Sequence, residues 1–249
     1  MIYKKSDEEI AIMRKGGRIL VGVLEELEAA LAPGVTTAEL DRIAEARIVG
    51  AGAQPSFKGY RGFPASICTS PNQVIVHGIP GPTKLKDGDI ISLDVGVFWR
   101  GFHVDSAWTF PVGDASSEAR ELLKVGKASL DAAIEQCRPG RRLGDVGHAV
   151  EETASAAGYS IVREYVGHGV GRDLHEEPQI PNYGPPGRRQ ALTSGMTVAV
   201  EPMINAGGER TKVLSDAWTV ETLDGSLSAH FEHTVAITED GHEILTSRV

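Results

Sequence analysis

Apolar residues return along this chain with two different periods, and the change from one to the other divides it into elements. Between Ser6 and Leu31, Ile10, Met13, Leu20, Val23, Leu24, Leu27 and Leu31 fall on one helical face. Ser6-Asp7-Glu8-Glu9 caps that stripe in front, and Pro33-Gly34 stops it behind. A second capping box, Thr36-Thr37-Ala38-Glu39, opens a helix that ends near Gly50-Ala51-Gly52. From Gln54 to Pro80 the pattern is irregular apart from a short apolar run, Val74 to His77. Ile90 to Phe110 then reads as two strands rich in β-branched and aromatic residues, joined at Arg100-Gly101. Helical spacing resumes from Ser117 to Cys137, halted by Pro139-Gly140, and again from Leu143 to Ala157 before Gly158. Strand-like runs follow at Tyr159–Val166, Met196–Glu201, Ala217–Thr222, Ser228–Ile237 and His242–Thr246, with a Pro/Gly-rich loop over Asn182–Arg189.

The order helix, Pro-Gly, helix, Gly, strands therefore occurs twice. Pro33-Gly34 and Pro139-Gly140 are 106 residues apart, and Asp94 and Glu201, each six residues after a glycine, are 107 apart. With no linker or shift in composition, the pattern predicts one domain over residues 1–249. Its halves, about 1–110 and 111–249, are related by an approximate two-fold axis, in an α+β fold whose central antiparallel sheet is covered by helices. An acid-bearing strand from each half would point at the axis.

Chemistry enters with the hairpin. If Arg100-Gly101 is the loop, Asp94 faces Ala107 and Asp105 faces Gly96, so both aspartates share one face as diagonal neighbours about 7–8 Å apart. They are either solvated surface acids or carboxylates that need a cation between them. Three further residues bear on that choice: His168 between glycines in Gly167-His168-Gly169, Glu201 at the end of an alternating valine run, and Glu232 within Ser228–Thr234. Four carboxylates balance two divalent cations, and oxygen-dominated ligation with one imidazole suits Mn, Fe, Co or Zn. A water held by such a pair can lose a proton near neutral pH and hydrolyse an amide or ester. The net charge of −9 argues against general nucleic-acid or anionic-membrane binding. No apolar run approaches a membrane span or a signal-peptide core. Cys68 and Cys137 make neither a disulfide framework nor a thiolate metal site, which fits a reducing, cytoplasmic setting.

The motifs His77-Gly78-Ile79-Pro80, Ser92–Gly96, Gly101–Asp105, Gly167–Gly171, His175-Glu176-Glu177-Pro178, Glu201-Pro202, Asp216–Thr219 and Ser226–Thr234, in that order, resemble the type I methionine aminopeptidases. These are metal-dependent enzymes of the pita-bread (creatinase/aminopeptidase-like) fold. The resemblance implies removal of an initiator methionine ahead of a small second residue. It also implies that Asp94, Asp105, His168, Glu201 and Glu232 hold two metal ions, with Asp105 and Glu232 bridging and Glu201 shuttling a proton. His175 would hydrogen-bond the scissile carbonyl, and His77 would lie at the scissile amide. A methionine pocket is implied at Tyr60, Phe63, Cys68, Leu174 and Trp218, and a monovalent-cation site (Na or K) at Asn72, Val74 and Ser228. The implied partner is a peptide or nascent-chain N-terminus, with ribosome association compatible with it, and the implied state a cytoplasmic monomer. Phe57 stands where the family often has cysteine, Leu174 where it has phenylalanine, and Phe63 where it has tyrosine; Val104 and Trp108 also depart from the usual residues beside Asp105.

Three rivals share parts of this pattern. Xaa-Pro aminopeptidases and prolidases use the same five ligands but carry a further N-terminal domain, for which the stretch before His77 is short. Type II methionine aminopeptidases have an insertion between their two glutamates, whereas 31 residues separate Glu201 from Glu232 here. Catalytically inactive pita-bread modules that bind peptides lose metal ligands, and all five ligand residue types are present. His103, His148, His230, His233 and His242 match no catalytic role in the family pattern.

Overall fold

The computed structural model describes residues 2–248; Met1 and Val249, the outermost residues of the expected single-domain span, lie outside them. Helices α1 (Asp7–Ala30) and α2 (Thr37–Gly50) form where the two capping boxes place them. Ser6 and Thr36 each accept the backbone N–H three residues on, and Glu9 and Glu39 reach back to the cap. Short strands β1 (Gln54–Pro55), β2 (Ile67–Pro71) and β3 (Val74–Val76) lead to the long hairpin of β4 (Ile90–Trp99) and β5 (Phe102–Pro111). Helices α3 (Ser117–Ile134) and α4 (Leu143–Ala156) follow, then β6 (Ser160–Ile161), β7 (Gly167–Gly169), β8 (Glu176–Ile180) and β9 (Thr197–Val200). The chain ends with β10 (Met203–Asn205), β11 (Thr211–Val213), β12 (Val220–Thr222), β13 (Ser228–His230), β14 (His233–Ile237) and β15 (His242–Ile244).

The hairpin has the register expected from its loop: Trp99 pairs with Phe102, Asp94 with Ala107 and Gly96 with Asp105. Helix α1 lies on it, and Leu20, Val23, Leu24 and Leu27 pack with Leu93, Val95, Val97 and Val104 in one core. Helices α3 and α4 cover a second core built with Val198, Val200, Ile204, Phe231 and Val235.

Among the described residues, the expected antiparallel β-structure is divided into four hydrogen-bonded sheets. The β1-β4-β2 ladder with β5 and the β15-β14-β9-β7-β8 ladder meet through polar cross-links rather than a shared ladder. Asp105 N–H donates to Thr234 Oγ1 (2.9 Å), Ser106 Oγ donates to the Glu232 carbonyl (2.6 Å), and Glu232 N–H donates to the Ala107 carbonyl (2.8 Å).

The expected strand Ser228–Ile237 is interrupted after His230, because its partner is interrupted at Pro202, which has no N–H to donate. Register is the same on both sides of the break, His230 with Met203 and His233 with Val200, so Glu201 lies opposite Glu232. The expected strand from Ala217 begins only at Val220. Asp216 turns the chain first, accepting from the N–H groups of Trp218 (2.9 Å) and Thr219 (2.8 Å). Strand β8 forms despite Glu-Glu-Pro, as an edge strand beside β7.

Gly17 of α1 is where helix and C-terminal segment touch: a Cβ there would stand 1.9 Å from the Leu245 carbonyl oxygen. The residues that follow tie down β14, since Thr234 N–H donates to Thr246 Oγ1. Gly17→Ala is expected to destabilise the fold by about 2 kcal/mol in urea unfolding. Gly22→Ala, whose Cβ would meet only the flexible end of Arg47, is expected to be neutral or stabilising by up to about 1 kcal/mol. Equal effects at the two positions would contradict this packing.

Candidate active site

The four acids of the constellation come from two structural devices. Asp94 and Asp105 project from the hairpin on the face their alternation dictates, Asp94 half-buried and Asp105 buried. Glu201 and Glu232 occupy the matched breaks in the β9–β10 and β13–β14 ribbon, where the ladder releases them. Asn182 steadies the first break, its Nδ2 donating to the Glu201 carbonyl at 2.9 Å. His168 sits in β7, opposite Ala199 on β9.

The structure brings these five together. Ligand atoms of Asp105, His168 and Glu232 lie within 4.8 Å of one another, and His168 Nε2 is 3.5 Å from Glu201 Oε1. Asp94 lines the same cavity. His168 Nδ1 is 2.9 Å from the Gly169 carbonyl oxygen. A carbonyl only accepts, so the ring hydrogen is on Nδ1 and the Nε2 lone pair faces the acids.

Burial sets the electrostatics. It pushes Asp94 up to about 7 and, joined by the negative charge of neighbouring carboxylates, holds Asp105, Glu201 and Glu232 far above the usual carboxylate range. His168 is lowered to about 3 and His77 to about 4, each by burial first and then by the nearby His175. Buried oxygens of Asp94 (Oδ1), Asp105 (Oδ1) and Glu232 (Oε1) have no hydrogen-bond partner among the described residues. Orphaned, desolvated oxygens facing an imidazole lone pair are what a divalent cation satisfies, so the donor set fits one.

His175 stands at the cavity mouth. Its Nδ1 is 2.8 Å from the Tyr60 hydroxyl, and its ring is stacked on Tyr60 and centred 4.2 Å from that of His168. Loss of water around the ring and the charge of Arg61 lower it to about 4, so it is a neutral donor. His77 adopts a left-handed backbone (φ 59°), a conformation a non-glycine residue holds only under constraint. The constraint is Gly78, whose N–H donates to Ser70 Oγ and whose Cα passes close to the Thr69 carbonyl. His77 meets the ring of Trp218 edge-on at 6.2 Å.

Tyr60, Phe63, Cys68, Leu174 and Trp218 form one apolar cluster, as the resemblance implies, and Phe57, Ala65 and Ile79 join it. Tyr60, Phe63, Cys68, Leu174 and Trp218 and the five ligand candidates line a single cavity of about 160 Å³, with Phe57 and Arg61 in its wall. Asn72 and Ser228 also meet: Ser228 N–H donates to the Asn72 carbonyl at 2.9 Å, while the Asn72 amide is engaged by Asp89 and the Ile90 N–H. Val74 begins the adjacent strand β3.

One neighbour of the site escaped the sequence reading. Buried His230 places Nε2 3.7 Å from Glu201 Oε2 and 3.9 Å from Glu232 Oε2, with no hydrogen-bond partner. Its position two residues before Glu232, on the same strand face, was the available signal.

The model of metallopeptidase family M24 matches residues 11–239. Methionine aminopeptidase 1 of Bacillus subtilis is 54% identical over 246 residues, covering 99% of both chains. The crystal structure of methionine aminopeptidase from Thermotoga maritima superposes with a TM-score of 0.98 at 44% identity, covering all of both chains. Prolidase from Pyrococcus furiosus shares the fold alone: the TM-score is 0.80 at 23% identity, covering 99% of this chain and 66% of that one. The architecture is the pita-bread fold. From its first helix to its final hairpin, this chain belongs to metallopeptidase family M24.

Proposed function

We propose that this protein removes the N-terminal methionine from peptides and nascent chains whose second residue is small. The observation that carries the reading is the meeting, in one cavity, of an apolar cluster with four desolvated carboxylates and the free nitrogen of His168. Asp94, Asp105, His168, Glu201 and Glu232 would hold two divalent cations from among Co, Mn, Fe and Zn. When bound, the ions would supply positive charge that acidifies water and polarises the scissile carbonyl.

The side chains divide the remaining work. The cluster of Tyr60, Phe63, Cys68, Leu174 and Trp218 takes the thioether side chain, which offers only weak polar handles. Glu201 accepts the proton released by the attacking water and passes it to the departing amine; its raised affinity for protons suits that exchange. His175, neutral and oriented by Tyr60, donates to the carbonyl oxygen, a bond that strengthens as the oxygen gains charge. His77 lies beside Trp218 and positions the scissile amide. A monovalent cation, Na or K, is proposed at Asn72, Val74 and Ser228 on the strength of the Asn72–Ser228 contact. We read residues 1–249 as one catalytic domain of two related halves, because each half contributes a helix pair and acid-bearing strands to the site. No helix of the described residues is long and apolar enough to cross a membrane. A cytoplasmic monomer is the setting this reading favours, and ribosome association is compatible with it.

Metal-loaded protein incubated with Met-Ala-Ser, Leu-Ala-Ser and Ala-Pro-Ala is expected to release methionine alone. Cleavage of the Xaa-Pro peptide would favour a prolidase-like activity, and silence with Co, Mn, Fe and Zn alike would leave a peptide-binding module. Asp105→Asn is expected to stay folded by circular dichroism while kcat/KM falls by roughly three orders of magnitude, equivalent to about 4 kcal/mol. Near-normal turnover would remove Asp105 from the mechanism.

Metal-free protein should carry an inverted pH signature. The four site carboxylates keep protons that the unfolded chain releases near pH 4, so their contribution to stability is complete below that pH and is lost as pH rises through the folded values. His77, His103, His168, His175, His230 and His233 have lowered values and act oppositely, but their contribution is complete above about pH 6.5. Between about pH 6.5 and 8.5 the carboxylates alone set the slope. The thermal midpoint of chelator-treated protein should therefore fall across that window, and added divalent metal should remove most of the fall. A midpoint that rises without metal would contradict the electrostatics.

A further inference from the structure

The loop that carries Leu174 and His175 is the turn between β7 and β8, and its base is held by residues far away in sequence. Lys5 and Glu176 form an ion pair whose side chains are each only 2% exposed. Glu176 Oε2 takes the Lys5 ammonium, while its Oε1 accepts the N–H groups of Arg172 (2.7 Å) and Asp173 (3.3 Å) from inside the loop. Lys5 is anchored in turn: its N–H donates to the Gly195 carbonyl (2.7 Å) and its Nζ to the Tyr3 carbonyl (3.1 Å). Its stem runs against Gly171, where a Cβ would stand 2.2 Å from Lys5 Cε. At the surface, Arg172 pairs with Glu9 in the first turn of α1.

Stability alone is a poor reason for this arrangement. Desolvating an ammonium and a carboxylate costs about as much as their attraction returns, so a buried pair is weak evidence of stabilisation. What such a pair does is hold one geometry, because any other leaves a buried charge uncompensated. Here the held geometry is that of the six-residue turn, 170–175, whose last residue is His175. We propose that Lys5 is a positioning residue for the reaction: through Glu176 it sets the 170–176 loop so that His175 faces the scissile carbonyl. The N-terminal segment ahead of α1 is thus part of the machinery rather than a tether. This inference rests on the peptidase reading above.

The test is a double-mutant cycle in the full-length, metal-loaded protein. Lys5→Met/Glu176→Gln removes both charges at once and keeps the carbonyl acceptor for Arg172 and Asp173. Its kcat on Met-Ala-Ser is expected to fall about 10- to 100-fold, the range a displaced catalytic group produces. KM and calorimetric metal affinity should change less than about threefold, and Lys5→Arg should recover most of the lost rate. In a His175→Ala background the same double substitution should cost less than about twofold, because a positioning residue has nothing left to position. If the double variant does not fold, the cycle is run with Arg172→Ala, which opens the surface end of the same clasp. A folded variant with kcat within twofold of wild type, or a loss that persists in the His175→Ala background, would overturn the proposal. Wild-type protein silent with every metal would instead overturn the peptidase reading.

Discussion

Four carboxylates held in one desolvated cavity repel one another, and most of the architecture around them answers to that repulsion. Two like charges about 4 Å apart at an effective dielectric of 20 cost about 4 kcal/mol, and ligand oxygens of Asp105 and Glu232 lie within 4.8 Å of each other. The protein alone relieves the repulsion only by holding protons: burial raises all four acids, and the charge of neighbouring carboxylates raises Asp105, Glu201 and Glu232 further. The surrounding histidines offer no cationic relief, since burial keeps His77, His168 and His230 neutral. Positive charge must come from outside, and the orphaned oxygens mark where it enters.

The backbone is arranged so that this tension does not break the sheets. Glu201 and Glu232 would be like charges directly opposite each other in a ladder, a destabilising pair. The ladder is interrupted at that point, with Pro202 unable to donate and the chain on either side returning to register. Stiffness lost from the ladder is restored by hydroxyls. Thr234, Ser106 and Thr109 bind backbone groups across the gap between β5 and the strands carrying Glu232, fixing the distance between the two pairs of acids. The site is therefore a seam between two ladders, closed by side chains.

How much of this could be read from residue order depends on the range of each cause. Capping boxes and helix stripes are local, and α1, α2, α3 and α4 lie within a few residues of their expected limits. The hairpin register follows from a two-residue loop, so the shared face of Asp94 and Asp105 was legible from alternation. Glu201 and Glu232 were visible as acids in apolar strands, but the break that frees them was not, because it arises from a partner strand. Strand β8 was hidden for the same reason: Glu176-Glu177-Pro178 has poor strand propensity and is a strand only because β7 lies beside it. His230 and Lys5 became visible only in three dimensions, where one faces both glutamates and the other reaches across 171 residues to Glu176.

The pocket wall shows how a departure from the family pattern is absorbed. Phenylalanine at 57 adds bulk where cysteine is frequent, and leucine at 174 removes it where phenylalanine is frequent; both residues are buried in the same apolar cluster. The added ring fits because β4 has glycine at 96: a Cβ there would stand 2.6 Å from Phe57 Cε1 and 2.7 Å from Ser56 Cβ. Gly96 is also the ladder partner of Asp105. One strand position thus serves two demands, leaving space for the Phe57 ring and pairing with Asp105, an acid of the cavity.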